Sequence, residues 1–178
     1  MDNNYFFDLG TTLLTEEEKK SVINLAEKNL TNFIPYQSMA DGAVDGNEFL
    51  PANFLLSSKE VWKLLKNCKI QCFPMIIKHA PGTEVLRHID DPNKRNTVIS
   101  IPLCPVDYSP TYFWESISST EPKATATFPN MNACLLNTQA IHNLVNQSKT
   151  VRLNLQLCFK EPFVQIKNKI LNKEFWIS

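Results

Sequence analysis

The chain has 178 residues, of which 43% are hydrophobic and 20% charged, a composition that fits one soluble domain, 1–178, with a single core. Lysine plus arginine and aspartate plus glutamate both number 18, so no net field recruits nucleic acid or anionic lipid, and neither partner is expected. Residues 1–10 carry Asp2 and Asp8 and lack a signal-peptide core, and apolar stretches such as 73–77 are too short to span a bilayer, so a cytoplasmic protein is expected.

In chain order, a helix comes first. Thr15 followed by Glu18 forms a capping box, and Glu16 and Glu17 add negative charge at the positive end of the helix. Val22, Ile23, Leu25, Ala26 and Leu30 then recur at helical spacing. A second short helix is expected near Ser57, with Glu60 in the reciprocal capping position and Val61, Leu64 and Leu65 facing inward. Between them, roughly 34–53, Pro35, Gly42, Gly46 and Pro51 mark an irregular stretch. Long loops of this kind are often functional, so it is a candidate for the substrate entrance, with Tyr36 and Gln37 as lining residues by location. This N-terminal region, 1–69, is expected to pack on a β core.

From residue 70 the period becomes that of strands. Short β-rich runs recur at 73–79, 84–89, 97–103, 111–114, 124–128, 133–137 and 150–159, separated by Pro81-Gly82, Asp91-Pro92-Asn93, Pro105, Pro110, Pro122 and Pro129-Asn130. This spacing predicts a jelly roll or barrel over 70–160, in a fold that is mainly β with N-terminal helices. The tail, 161–178, is ambiguous. Lys167, Lys169 and Lys173 suit a solvated face, whereas Ile166, Ile170, Leu171, Phe175 and Trp176 either dock on the barrel or form a contact such as a homodimer interface. The cysteines, Cys68, Cys72, Cys104, Cys134 and Cys158, match no zinc spacing and read as reduced, mostly buried thiols.

The histidines are His79, His88 and His142. In His88-Ile89-Asp90 the outer residues point to one face if the segment is a strand, so both aim into one pocket, while Asp91 has the opposite parity and is expected at a turn or in solvent. One distant histidine, His142, completes a facial set of two imidazoles and a carboxylate. Such a set leaves coordination positions open and suits non-haem iron(II) that must hold a co-substrate and O₂ together. Arg152 stands in an otherwise apolar run (Val151, Leu153, Leu155, Leu157), sharing one face with Asn154 and Gln156. A buried guanidinium is costly unless paired with an anion, and its planar fork fits a carboxylate.

These residues together, His88-Ile89-Asp90, then His142, then Arg152, with Gly82 six residues before the first histidine, resemble the iron(II)/2-oxoglutarate-dependent dioxygenase superfamily over residues 70–160. The resemblance implies a double-stranded β-helix core of jelly-roll, cupin-like form. It also implies iron(II) on His88, Asp90 and His142, 2-oxoglutarate held at its distal carboxylate by Arg152, and use of O₂ to hydroxylate a C–H bond with release of succinate and CO₂. In members resembling prolyl hydroxylases a tyrosine precedes that glycine by three residues; here His79 stands there, and either takes over its hydrogen bond to the co-substrate or closes a strand near the turn. Asn154 is a candidate contact to the co-substrate. Arg95 reads as a surface charge or a contact to a substrate carboxylate, and Trp114 as core packing or a stacking surface for substrate. The substrate class implied is a small molecule or a peptidyl residue. Two rival readings remain: a cupin-type metalloenzyme that does not use 2-oxoglutarate, and a non-catalytic β-barrel that binds a ligand or partner.

Overall fold

The computed structural model describes residues 4–28, 34–35, 52–56, 61, 69–104 and 109–175. In chain order these residues form β1 (Phe6–Asp8), α1 (Glu16–Lys28), β2 (Ile34–Pro35), β3 (Ala52–Leu56), β4 (Phe73–His79), β5 (Glu84–His88), β6 (Thr97–Pro102), β7 (Thr111–Phe113), β8 (Ala124–Ala126), β9 (Cys134–Asn137), β10 (His142–Val145), β11 (Arg152–Phe159) and α2 (Phe163–Leu171). The strands make a large sheet in the order β1-β9-β6-β11-β4-β3-β2 and a small one in the order β5-β10-β7-β8. Neighbours in both sheets run antiparallel, as in a jelly-roll-like sandwich.

The capping box at the start of α1 is formed. Glu18 N donates to Thr15 Oγ1 at 3.2 Å, and Thr15 N donates to Glu18 Oε2 at 2.8 Å. Val22 and Ala26 of α1 and Phe163 and Ile166 of α2 are buried against Ile76, Ile99, Ile101, Leu135, Leu153, Leu155 and Leu157 of the large sheet. Alternation then sends the other residues of these strands to the opposite face. There Met75, Ile77, Val98 and Cys158 meet Val85 and Leu144 of the small sheet. The helices therefore cover one face of the large sheet and the small sheet covers the other. The central strand β11 is buried along its whole length.

The elements depart from the sequence reading in two places. Part of the stretch read as an irregular loop pairs as β2 and β3, with β3 extending the large sheet beside β4, while 36–51, with Tyr36 and Gln37, lies outside the described residues. Strands β1 and β10 were not expected; both are too short to show a period. Of the expected second helix only Val61 is described, and it is fully buried. The tail docks on the core: Ile166 and Phe175 are buried, and the Phe175 ring meets Phe159 at 5.9 Å, while Leu171 is exposed. Cys72, Cys104, Cys134 and Cys158 are all free thiols. Among the described residues no helix is long and apolar enough to cross a membrane.

Leu155, fully buried at the centre of β11, tests this layering. Leu155→Ala should lower stability by about 2–5 kcal/mol in urea unfolding, whereas Leu171→Ala should stay within about 0.5 kcal/mol. Equal effects at the two positions would mean that the helices do not cover this sheet face.

Candidate metal centre

His88 closes β5 and His142 opens β10, and the antiparallel register sets the two residues directly opposite each other. Directly paired residues project to the same face, so the rings approach to 4.4 Å between centroids. Two residues farther along β10 the pairing has slipped: Leu144 faces Val85, three residues back from His88. This bulge puts one extra residue into β5. Without it, strict alternation would turn His88 away from the side that Val85 occupies; with it, both line the cleft between the sheets.

Asp90 does not lie on that strand, which ends at His88. Its place is set instead by the turn after β9: Asp90 N donates to the Thr138 carbonyl at 3.0 Å, and Gln139 Nε2 donates to the Asp90 carbonyl at 3.1 Å. The Asp90 carboxylate, almost fully buried, thereby brings Oδ1 to 3.5 Å from His88 Nε2. Asp91 caps the next turn, with Oδ1 accepting from Asn93 N at 2.9 Å. Ligand atoms of His88, Asp90 and His142 all lie within 4.8 Å of one another, close enough for one ion to touch all three.

The protonation states suit a cation. His88 Nδ1 lies 2.7 Å from the Leu86 carbonyl and His142 Nδ1 2.9 Å from the Ala140 carbonyl. A carbonyl only accepts, so each Nδ1 carries the proton, and the neutral form of such a ring offers its Nε2 lone pair to a ligand. Burial, reinforced by His88, lowers His142 to about 4, so its ring is neutral at pH 7. Burial alone would raise the Asp90 carboxyl, but the Arg95 guanidinium beside it outweighs this and holds the group well below the usual carboxylate range. Neutral imidazoles with an ionised carboxylate are the donor set that a divalent ion requires.

A cleft open at its mouth lies above this point, lined by residues of both sheets, among them His79, His88, Ser100, His142 and Arg152. Its far wall is the large sheet, where Arg152 on β11 pairs in register with His79 on β4. Asn154, in the orientation that satisfies both of its polar atoms, accepts from Ser100 Oγ at 2.6 Å and from Arg152 Nη2 at 3.0 Å, and donates to the Leu153 carbonyl at 2.9 Å. Arg152 Nη1 and His79 Nδ1 are buried with no hydrogen-bond partner among the described residues. Burial lowers Arg152 to about 9, which still leaves it charged at neutral pH. Burial, with Arg152 and Arg95 nearby, pushes His79 well below its usual value, so it is neutral.

Of the remaining sequence candidates, Asn154 is not among the cleft-lining residues and bonds Arg152 instead. Arg95 is buried rather than on the surface, with Nη2 at 3.2 Å from Asp90 Oδ2. Trp114 is occupied by its neighbours: Nε1 donates to Asn143 Oδ1 at 2.9 Å and the Arg87 guanidinium stacks 3.3 Å above the ring. The sequence reading gave no role to Ser100, Thr138, Gln139 and Gln156. Gln156 shares the parity of Arg152 and was within reach of that reasoning; Thr138 and Gln139 carry no signal outside the folded structure.

No protein-family model and no curated protein matches the sequence. Among solved structures, the fold is similar to the non-heme alpha ketoglutarate dependent epimerase SnoN from nogalamycin biosynthesis, at 10% identity over 86% of this chain and 77% of that one, with a TM-score of 0.59. A second SnoN structure, in complex with Fe3+, alpha ketoglutarate and nogalamycin RO, has a TM-score of 0.56. A Pseudomonas putida prolyl-4-hydroxylase aligns over 88% of this chain and 92% of its own at 10% identity, with a TM-score of 0.57. A prolyl hydroxylase from Trichoplax adhaerens, in complex with a hypoxia inducible factor oxygen degradation domain peptide fragment, aligns over 92% and 87% at 13% identity, with a TM-score of 0.55. At these identities the likeness is one of fold.

The buried histidines set a pH dependence. His79 and His142 both have folded values below the ordinary 6.5, so on acidification the unfolded chain takes up protons first. Their contribution is complete above pH 6.5 and is lost as pH falls through 6.5 towards about 4 for His142, at up to about 1.4 kcal/mol per pH unit for each group. Urea unfolding of chelator-treated protein should therefore show stability falling between those limits, and less steeply in His142→Gln; parallel profiles would show that His142 is not buried neutral.

Proposed function

We propose that the protein is an iron(II)- and 2-oxoglutarate-dependent oxygenase that hydroxylates a C–H bond of a small molecule or a peptidyl residue. The observation that carries this reading is the pairing of two features across one cleft. Three donors converge on one point, His88, Asp90 and His142, and a buried guanidinium with an unpartnered Nη1, Arg152, stands on the opposite sheet. The fold is shared with enzymes solved with iron and alpha ketoglutarate or described as prolyl hydroxylases, and the sandwich corresponds in this reading to a double-stranded β-helix core.

The residues present fit both absent groups. Two imidazoles and one carboxylate hold a divalent ion on one side only, which leaves positions for other ligands. Arg152 pairs with the distal carboxylate of 2-oxoglutarate, and Asn154, anchored by Ser100, fixes the direction in which the guanidinium points. His79, neutral and opposite Arg152 in register, offers a ring nitrogen to the same carboxylate. Burial of these side chains lowers the dielectric around them, which strengthens each polar contact. Iron(II), when bound, supplies the activation of O₂ coupled to oxidation of 2-oxoglutarate to succinate and CO₂. A cupin-type metalloenzyme without 2-oxoglutarate accounts for the three donors but gives Arg152 nothing to bind.

His142→Ala and Asp90→Ala should lose stoichiometric iron in metal analysis and should lose succinate formation. Arg152→Met should keep the metal but weaken 2-oxoglutarate by about 10- to 100-fold in anaerobic calorimetry, the size of one lost charged hydrogen bond. Undiminished 2-oxoglutarate binding in Arg152→Met would favour the cupin-type reading.

A further inference from the structure

Arg95 stands apart from the residues assigned above: it is buried, it lines the cleft, it faces the metal-binding carboxylate, and surface charge does not describe its place. Its backbone N donates to the Asp91 carbonyl at 2.8 Å, which closes the turn that Asp91 caps. Its carbonyl accepts from Thr138 Oγ1 at 2.6 Å and from Gln139 Nε2 at 3.2 Å. The same two residues hold the backbone of Asp90, so Asp90 and Arg95 are pinned to one turn and cannot shift independently. From that anchor the guanidinium runs inward, where Nη2 donates to Gln156 Oε1 at 2.7 Å and lies 3.2 Å from Asp90 Oδ2.

The carboxylate is thereby divided between two neighbours. Oδ1 faces His88 Nε2 at 3.5 Å, on the side of the metal centre, while Oδ2 faces Arg95. A carboxylate with both oxygens available can chelate one ion and use two of its coordination positions. We propose that Arg95 is a positioning residue that reserves Oδ2 for itself, so that Asp90 ligates through one oxygen and a position stays open for the chelating co-substrate. Gln156, on the same strand face as Arg152, fixes the guanidinium in this role. This inference rests on the metal centre proposed above. It adds that the number of open positions is set by a residue that is not itself a ligand.

The test uses the full chain loaded anaerobically with Co(II), whose visible absorption reports coordination number, and compares wild type with Arg95→Gln, Arg95→Lys and Gln156→Leu. In Arg95→Gln, Co(II) affinity should be no weaker than in wild type, because the carboxylate gains a second contact and loses a neighbouring cation. The Co(II) band should change before any co-substrate is added, and 2-oxoglutarate affinity should fall at least about 10-fold, within the range seen when an outer partner of a metal ligand is removed. Arg95→Lys should move partway back to the wild-type band, and Gln156→Leu should move partway from it. An unchanged band with weakened 2-oxoglutarate binding would overturn the inference, since Arg95 would then act by charge on the ligand. Parallel loss of Co(II) affinity and of metal-free thermal stability would also overturn it, leaving a structural role. If Arg95→Gln fails to fold, the Arg95→Lys and Gln156→Leu spectra decide on the same criteria. A wild-type protein that takes up no Co(II) would remove the metal centre and the inference together, whereas normal wild-type loading with wild-type-like variants would remove the inference alone.

Discussion

Strand β11 lies at the centre of the large sheet, covered by helices on one face and by the small sheet on the other, and all of its residues from Arg152 to Phe159 are buried. A polar group in such a strand cannot reach water, so it must find a partner inside the protein or in whatever enters the cleft. Three of the residues facing the cleft side are polar, and the way each is satisfied organises the site. Gln156 is bonded to Arg95, which faces Asp90. Asn154 is bonded to Ser100 and to Arg152. One strand thus steers a carboxylate at one end of the cleft and a guanidinium at the other. Arg152 Nη1 is left over on this strand, with His79 Nδ1 beside it on β4, and that is where the cleft asks for a ligand.

The two sheets divide the labour. The small sheet supplies both imidazoles through a single cross-strand pair, His88 opposite His142. The large sheet supplies the groups on the far wall, Arg152, His79, Ser100 and Gln156. Asp90 and Arg95 belong to neither sheet: they sit in the connection between β5 of the small sheet and β6 of the large one, tied down by the turn at Thr138 and Gln139. A crossing segment has no ladder of its own to hold it, which is why its two functional side chains depend on four bonds to that turn. The apolar layer beneath the large sheet fixes the far wall, and these bonds fix the near one.

Much of this was legible in the sequence, for reasons that can be named. The capping box, the helical stripe and the period-2 runs are local signals, and the corresponding elements formed. The convergence of His88 and Asp90 was read from strand parity, yet the parity rule is not what produces it. Asp90 lies beyond the strand, and His88 points inward because a bulge in β5 shifts the alternation. A bulge is a feature of pairing between two strands, and nothing in the residues of one strand announces it. Arg95 was illegible for a related reason. It follows Asp91-Pro92-Asn93-Lys94, a stretch that reads as exposed, and its burial depends on Gln156, sixty-one residues away in sequence. Gln156 was legible as a polar residue on the face of Arg152, but its partner was not.

Charge balance in the cleft bears on which chemistry the site is built for. The cleft holds two guanidiniums, Arg95 and Arg152, and one carboxylate, Asp90, and burial holds His79 and His142 neutral. The carboxylate faces one guanidinium, so the other stands uncompensated in a buried wall, a state that costs several kcal/mol in order-of-magnitude terms of roughly 3–5 unless an anion relieves it. A divalent ion on the three donors adds positive charge and deepens the imbalance. Oxygen and water, the small ligands of a metal centre that works without an organic acid, bring too little negative charge to restore it. An acid with one carboxylate at the metal and a second within reach of Arg152 answers both ends at once, and its two charges offset most of the positive excess that the residues and the ion create. The proposed co-substrate is such a dianion, so the buried arginine that is expensive to keep is also what distinguishes it from ligands that a metal alone would accept.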